Sequence, residues 1–204
     1  MRGAYDWVRI GSLAGMLALP LTVLAIALLF QQPELDLRAG LFPWTAAAVT
    51  VLVLMCLNAL RHYHVGRASR FLTVAVALTF IGLVAMFTIF AGFAVSAALR
   101  INETPVLLFW VLIVGIMALV GLPVGLGLLG IGLLRQQLLP RGIRGVPLVL
   151  AALIPCGMVA FGFADGTAEA IILIVWFVGF ALGWAVLGYT LWKTGPASRR
   201  SEQR

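Results

Sequence analysis

Residues 105–134 read PVLLFWVLIVGIMALVGLPVGLGLLGIGLL, thirty positions without one ionisable side chain. A helix rises 1.5 Å per residue, so about 20 such residues cross a hydrocarbon layer about 30 Å thick. Working outward from this stretch, five more runs of the same kind appear: 10–30, 43–60, 71–99, 146–163 and 170–192. None of the six holds Asp, Glu, Lys, Arg or His, and no connection between them exceeds 12 residues. That leaves no room for a folded extramembrane domain. The expectation is an all-α chain, a polytopic transmembrane bundle of six helices forming one domain over 1–204. Membrane-spanning β-strands would be about 10 residues long and alternate in polarity; the runs Leu17–Phe30 and Val106–Leu134 do not alternate. The third and fourth runs are longer than the hydrocarbon requires and are expected to tilt, bend or project into the interface.

Composition agrees. Of 204 residues, 63% are hydrophobic and 10% charged, against about 45–50% and about 25% in soluble domains. So few charges cannot cover a water-facing surface. Soluble, disordered, collagen-like and disulfide-framework classes are excluded.

The charges also orient the chain. Residues 1–9, 61–70, 135–145 and 193–204 hold 12 Lys and Arg, whereas 31–42, 100–104 and 164–169 hold only Arg38 and Arg100. By the positive-inside rule the first set is cytoplasmic, and with it both termini. The acidic residues Glu34, Asp36, Glu103, Asp165 and Glu169 fall on the other side, and only Asp6 and Glu202 are inside. The net charge of +7 therefore sets topology and does not point to nucleic acid. Arg61, Arg67, Arg70, Arg135, Arg141 and Arg144 are also placed to attract anionic lipid head groups. Arg2 and Arg9 precede an apolar run of 21 residues, longer than the 7–15 of a signal-peptide core. It is expected to remain as the first helix. Thirteen Arg to one Lys, with abundant Ala, Gly and Leu, is the composition of a G+C-rich bacterial gene, which places the chain in a bacterial plasma (inner) membrane.

Helix ends and seams are marked by ordinary chemistry. Pro43 and Pro105 stand where a helix start tolerates the missing N–H. Asn102 or Thr104 and Asp165 or Thr167 are cap candidates. Trp7, Trp44, Trp110 and Trp192, with Tyr5, lie at expected interfaces. Pro20, Pro123 and Pro155 fall inside spans, where each frees a carbonyl one turn back (Met16, Leu119, Ala151) and reads as a static kink or a hinge. Small residues four apart let helix backbones approach in lipid. Candidate seams are Gly11 and Gly15, Thr88 with Gly92 and Ser96, Gly121 and Gly125, and Gly179 and Gly183. They join the bundle's own helices or a second copy of the chain. Division into inverted halves would put Pro20 and Pro123 in equivalent helices, and the matching Arg spacing of the second and fourth loops reads as coincidence.

Several chemistries lack their residues. Proton coupling needs carboxylates or histidines at depth; the spans have none. A retinal Schiff base needs an intramembrane lysine, and Lys193 is terminal to its span. His62 and His64 share one loop with Arg61 and Tyr63, without the further ligands a metal or haem would need. No phosphate-binding glycine loop is present. Cys56 and Cys156 read as small buried hydrophobes. No cofactor, metal or catalytic residue is therefore expected. Trp176, Phe180 and Trp184 share one helix face, either packed core, a lipid-facing stripe, or the wall of a pocket for a flat apolar molecule. Phe80, Phe87 and Phe90 invite the same alternatives.

The segment Gly130-Ile-Gly-Leu-Leu-Arg135, continuing through Leu139-Pro140-Arg141 to Val146, resembles a hairpin of small uncharacterised bacterial membrane proteins of about six spans. The resemblance covers this short stretch and implies a bacterial membrane origin, with no catalytic residue to carry over. Two functions follow from the sequence. The favoured one is a non-enzymatic bundle, an accessory or structural subunit that binds lipid or another membrane protein. The alternative is a small permease or channel-like carrier for a neutral or apolar solute, driven by no coupling charge. Third stands an enzyme engaging a phosphorylated lipid head group through Arg61, His62, His64 and Arg67.

Overall fold

The computed structural model describes residues 2–31, 41–63, 69–99, 105–137, 139–163 and 167–194. They form six helices: α1 Arg2–Phe30, α2 Phe42–Tyr63, α3 Arg70–Leu99, α4 Pro105–Gln136, α5 Val146–Gly162 and α6 Thr167–Thr194. Each expected apolar run lies within one helix, apart from Phe163 at the end of the fifth, which is a turn. The helices extend past most of the runs, because a formed helix adds residues such as Asp6 and Arg9 without a second nucleation cost. Five are long and apolar enough to cross a membrane. The exception is α5, whose 17 residues measure about 25 Å. Arg38, Arg67, Arg100, His64, Glu34, Asp36, Glu103, Asp165, Asn102, Thr104 and residues 195–204 lie outside the described residues.

Contacts at the helix ends set the up-and-down arrangement. The Tyr63 hydroxyl at the end of α2 donates to the Thr194 carbonyl at the end of α6, 3.3 Å away. The Arg9 guanidinium near the start of α1 lies 5.1 Å from the centre of the Trp192 ring. Ser69 caps α3, its Oγ accepting from the Leu72 N–H at 3.3 Å, and the Gln136 amide at the end of α4 donates to the same oxygen. Gln137 takes φ 52°, the left-handed conformation that closes a helix C-terminus. Arg144 then holds the turn into α5, donating to the Gln137 carbonyl at 3.3 Å and to that of Leu139. Arg9, Arg61, Arg70, Arg135, Arg141, Arg144 and Lys193 all occupy this basic end. Each helix packs on its neighbours in chain order, α6 returns to α1, and α2 also touches α6.

Glycines decide how closely the pairs approach. A Cβ on Gly188 of α6 would lie 2.6 Å from the Ser12 carbonyl oxygen and 3.1 Å from Gly15 Cα. On Gly15 it would lie 2.9 Å from the Trp184 carbonyl oxygen and 2.7 Å from Cys56 Sγ. Gly11 faces Ala59 and Met55 of α2 in the same way. Between α3 and α4, Gly125 meets the Thr79 backbone and Gly82 comes against the Leu122 nitrogen, while Gly121 makes ordinary contact with Gly82. Gly183 and Gly179 face Leu150 and Leu153 of α5. Gly92 is different: a Cβ there would meet nothing within 4 Å. Thr88 is exposed and donates to the Val84 carbonyl of its own helix, and Ser96 is half-buried. Among the described residues no close approach of a neighbouring helix is made at Gly92.

Helices α1, α4 and α5 run unbroken through Pro20, Pro123 and Pro155, so none is interrupted there. The buried polar residues among those described are Ser12, Thr22, Thr50, Thr79 and Thr190. Each hydroxyl donates to the carbonyl four residues back, the cheapest way to satisfy it in an apolar interior. The core is mainly aliphatic, with aromatic rings around Trp184, which is 0% exposed, and around Phe42 and Phe90.

Candidate functional site

The pairing of α2 with α3 uses no glycine of α2, which contains none, and Gly82 of α3 is turned to α4. Leucines of both helices meet here, and a cleft of about 300 Å³ opens between α2 and α3 toward the side of the bundle. This is the low end of the volumes about 300–1,000 Å³ typical of small-molecule sites. Its floor is Leu57, Leu60, Leu72 and Leu129, all buried. Its outer wall is Val76, Ala77, Phe80 and Ile81 of α3, of which Ala77, Phe80 and Ile81 are exposed. From Thr73 to Ile81 the cleft follows α3 for about 12 Å.

Three polar side chains enter it, all toward the basic end: Arg61, Asn58 and Thr73. Arg61 is in the last turn of α2 and exposed. Asn58, three residues earlier on the same face, is half-buried and lies about 4.5 Å deeper along the axis. Thr73 donates to the Ser69 carbonyl and keeps lone pairs free to accept. The cleft thus offers a cation at its mouth, an amide one turn in, and hydrocarbon beyond. Asn58 did not stand out in the sequence, because it is neutral; the signal was an amide one turn before an arginine in an otherwise apolar helix.

The other expected site residues are placed differently. Trp176, Phe180 and Trp184 belong to the packed interior: Trp184 and Phe180 are edge-to-face at 6.3 Å, and Trp176 lies over Gly157. Phe180 borders a space of about 20 Å³ between α1, α2, α3 and α6, enough for one water and no more. Phe42 closes it, edge-to-face with Phe90 and Phe177. On this face Phe180 and Trp184 are buried and Trp176 is half-buried against the core. Arg70, Arg135 and Arg141 are exposed at the basic end and outside the cleft, and Arg144 is half-buried on its loop carbonyls. Among the described residues no three of His, Cys, Asp and Glu gather as metal ligands. No family model, curated protein or solved structure matches the chain, so the chemistry rests on this geometry.

Proposed function

We propose that the chain is an integral membrane protein of the bacterial plasma membrane, with six spans and both termini cytoplasmic, acting without catalysis as a lipid-binding structural or accessory subunit. The observation that carries the reading is the lateral cleft, which opens onto the surface where acyl chains would lie. Its surroundings support it. Exposed tryptophans stand at both ends of the bundle, Trp7 and Trp192 beside the arginines, Trp44 and Trp110 at the opposite end, as two interfacial belts do. Between them the outer surface is apolar, as along Leu112, Ile116, Val120 and Val124 of α4. In this reading α5 spans too, its shortfall met by local thinning of the bilayer. A larger assembly would use the same apolar surface for a protein partner. The carrier alternative needs a path through the bundle, and the interior space at α1, α2, α3 and α6 takes one water.

The test is lipid retention. Protein extracted in mild detergent should keep about one phospholipid per chain through gel filtration, as counted by mass spectrometry. Ala77→Trp, which fills the cleft, should release it while elution and helix content stay unchanged. Wild-type protein that retains no lipid, or that passes a neutral solute across liposomes, contradicts the proposal.

A further inference from the structure

We infer that the α2–α3 cleft selects an anionic phospholipid from the cytoplasmic leaflet, its phosphate held by Arg61 and Asn58 and one acyl chain laid between α2 and α3. The inference rests on the lipid-binding reading above and adds to it the charge of the lipid and the residues that select it.

Arg61 has no hydrogen-bond or ion-pair partner among the described residues, although its side chain lines the cleft. A guanidinium presents five N–H donors in a planar fork that matches a phosphate. Asn58 supplies an amide N–H from one turn deeper, so a phosphate at the mouth is met from two levels of the same helix face. The leucine floor begins directly below, where the glycerol and first methylenes of a lipid would follow. Selection for negative charge comes from what the lining lacks: no Asp or Glu is among the cleft residues to receive the ammonium of a zwitterionic head group. Arg70 and Arg135 at the same end add to the positive potential. The basic end also fixes the leaflet, since a head group held there belongs to the arginine-rich face, which is cytoplasmic.

The experiment titrates delipidated protein in detergent at about 0.15 M salt, where distant charges are screened beyond about 8 Å. The ligands are phosphatidylglycerol, phosphatidylcholine with the same acyl chains, and glycerol phosphate without chains. Native mass spectrometry counts the adducts. One saturable phosphatidylglycerol site is expected, with phosphatidylcholine weaker and glycerol phosphate unable to compete. Arg61→Gln should weaken phosphatidylglycerol about tenfold, the loss of one charge-assisted contact, with a smaller loss for Asn58→Leu. Arg61→Lys should recover part of the affinity, and Arg141→Gln, outside the cleft, should change it less than about twofold, its charge being screened. Equal binding of both lipids, or an Arg61→Gln variant that binds as wild type, overturns the inference; Ala77→Trp then still blocks both lipids if the cleft reading holds. If Ala77→Trp blocks neither, the lipid-binding reading fails with it. Competition by glycerol phosphate would make the site one for free phosphate and overturn the lipid assignment.

Discussion

Gly188→Leu should disrupt the bundle where α1 crosses α6. The new Cβ alone would lie 2.6 Å from the Ser12 carbonyl oxygen and 3.1 Å from both Gly15 Cα and Met16 N. These are backbone atoms of α1, which no rotamer change can move aside. The two helices must separate, and the separation spreads, because Gly15 at the same crossing also touches Cys56 Sγ and the Trp184 carbonyl. Cys56 in turn lies within sulfur hydrogen-bond range of that carbonyl, 4.0 Å. Overpacking usually costs about 1–3 kcal/mol; against backbone on both sides the loss should exceed about 3 kcal/mol. SDS-driven unfolding from mixed micelles, followed by circular dichroism, measures it. Gly92→Leu is the matched control, since a Cβ there would meet nothing within 4 Å, and it should cost far less, within about 1 kcal/mol. Equal losses at the two positions would contradict the packing described here.

Trp184→Ala should be nearly as damaging for the opposite reason. Its ring is wholly buried at the junction of α6 with α1 and α2, edge-to-face with Phe180. Truncation leaves a void that closely approaching helices cannot collapse to fill, at a cost of about 3–5 kcal/mol. Trp184→Phe should cost much less, about 1–2 kcal/mol. The indole Nε1 meets no hydrogen-bond acceptor among the described residues, so phenylalanine removes volume and loses no bond. The same SDS titration separates the two. A phenylalanine variant as unstable as the alanine one would show that the N–H has a partner of consequence.

The helices were legible in the sequence because apolar length is a one-dimensional signal: each unbroken run marks one helix. Their ends were less so, because α1 extends back through Asp6 and Arg9 and α6 begins at Thr167, residues that a hydropathy reading assigns to solvent. Packing was legible only in part. Gly11 and Gly15 show the four-residue spacing and stand at crossings; Gly92 shows it with Thr88 and Ser96, yet a Cβ there would meet nothing within 4 Å. Spacing along one helix cannot say which face another helix will meet. For the same reason Gly188 and Gly82, without a small residue four positions away in the seams first singled out, were invisible as contact points. The cleft brings together residues of α2, α3 and α4, and which faces of those helices meet is not written in the spacing along any one of them. Asn58 escaped notice because a search for charge at depth passes over a neutral amide, and its importance comes from sharing a face with Arg61.

The central claim is that the apolar bundle lies in a membrane with its basic end toward the cytoplasm. It is tested most directly by labelling single cysteines on intact cells with a membrane-impermeant maleimide, in a background carrying Cys56→Ala and Cys156→Ala. Gly142→Cys, exposed in the turn before α5, should label only after the membrane is opened, and Phe163→Cys, exposed at the far end of that helix, should label on intact cells. Labelling of Gly142→Cys from outside, or equal labelling of both positions without disruption, would contradict the account.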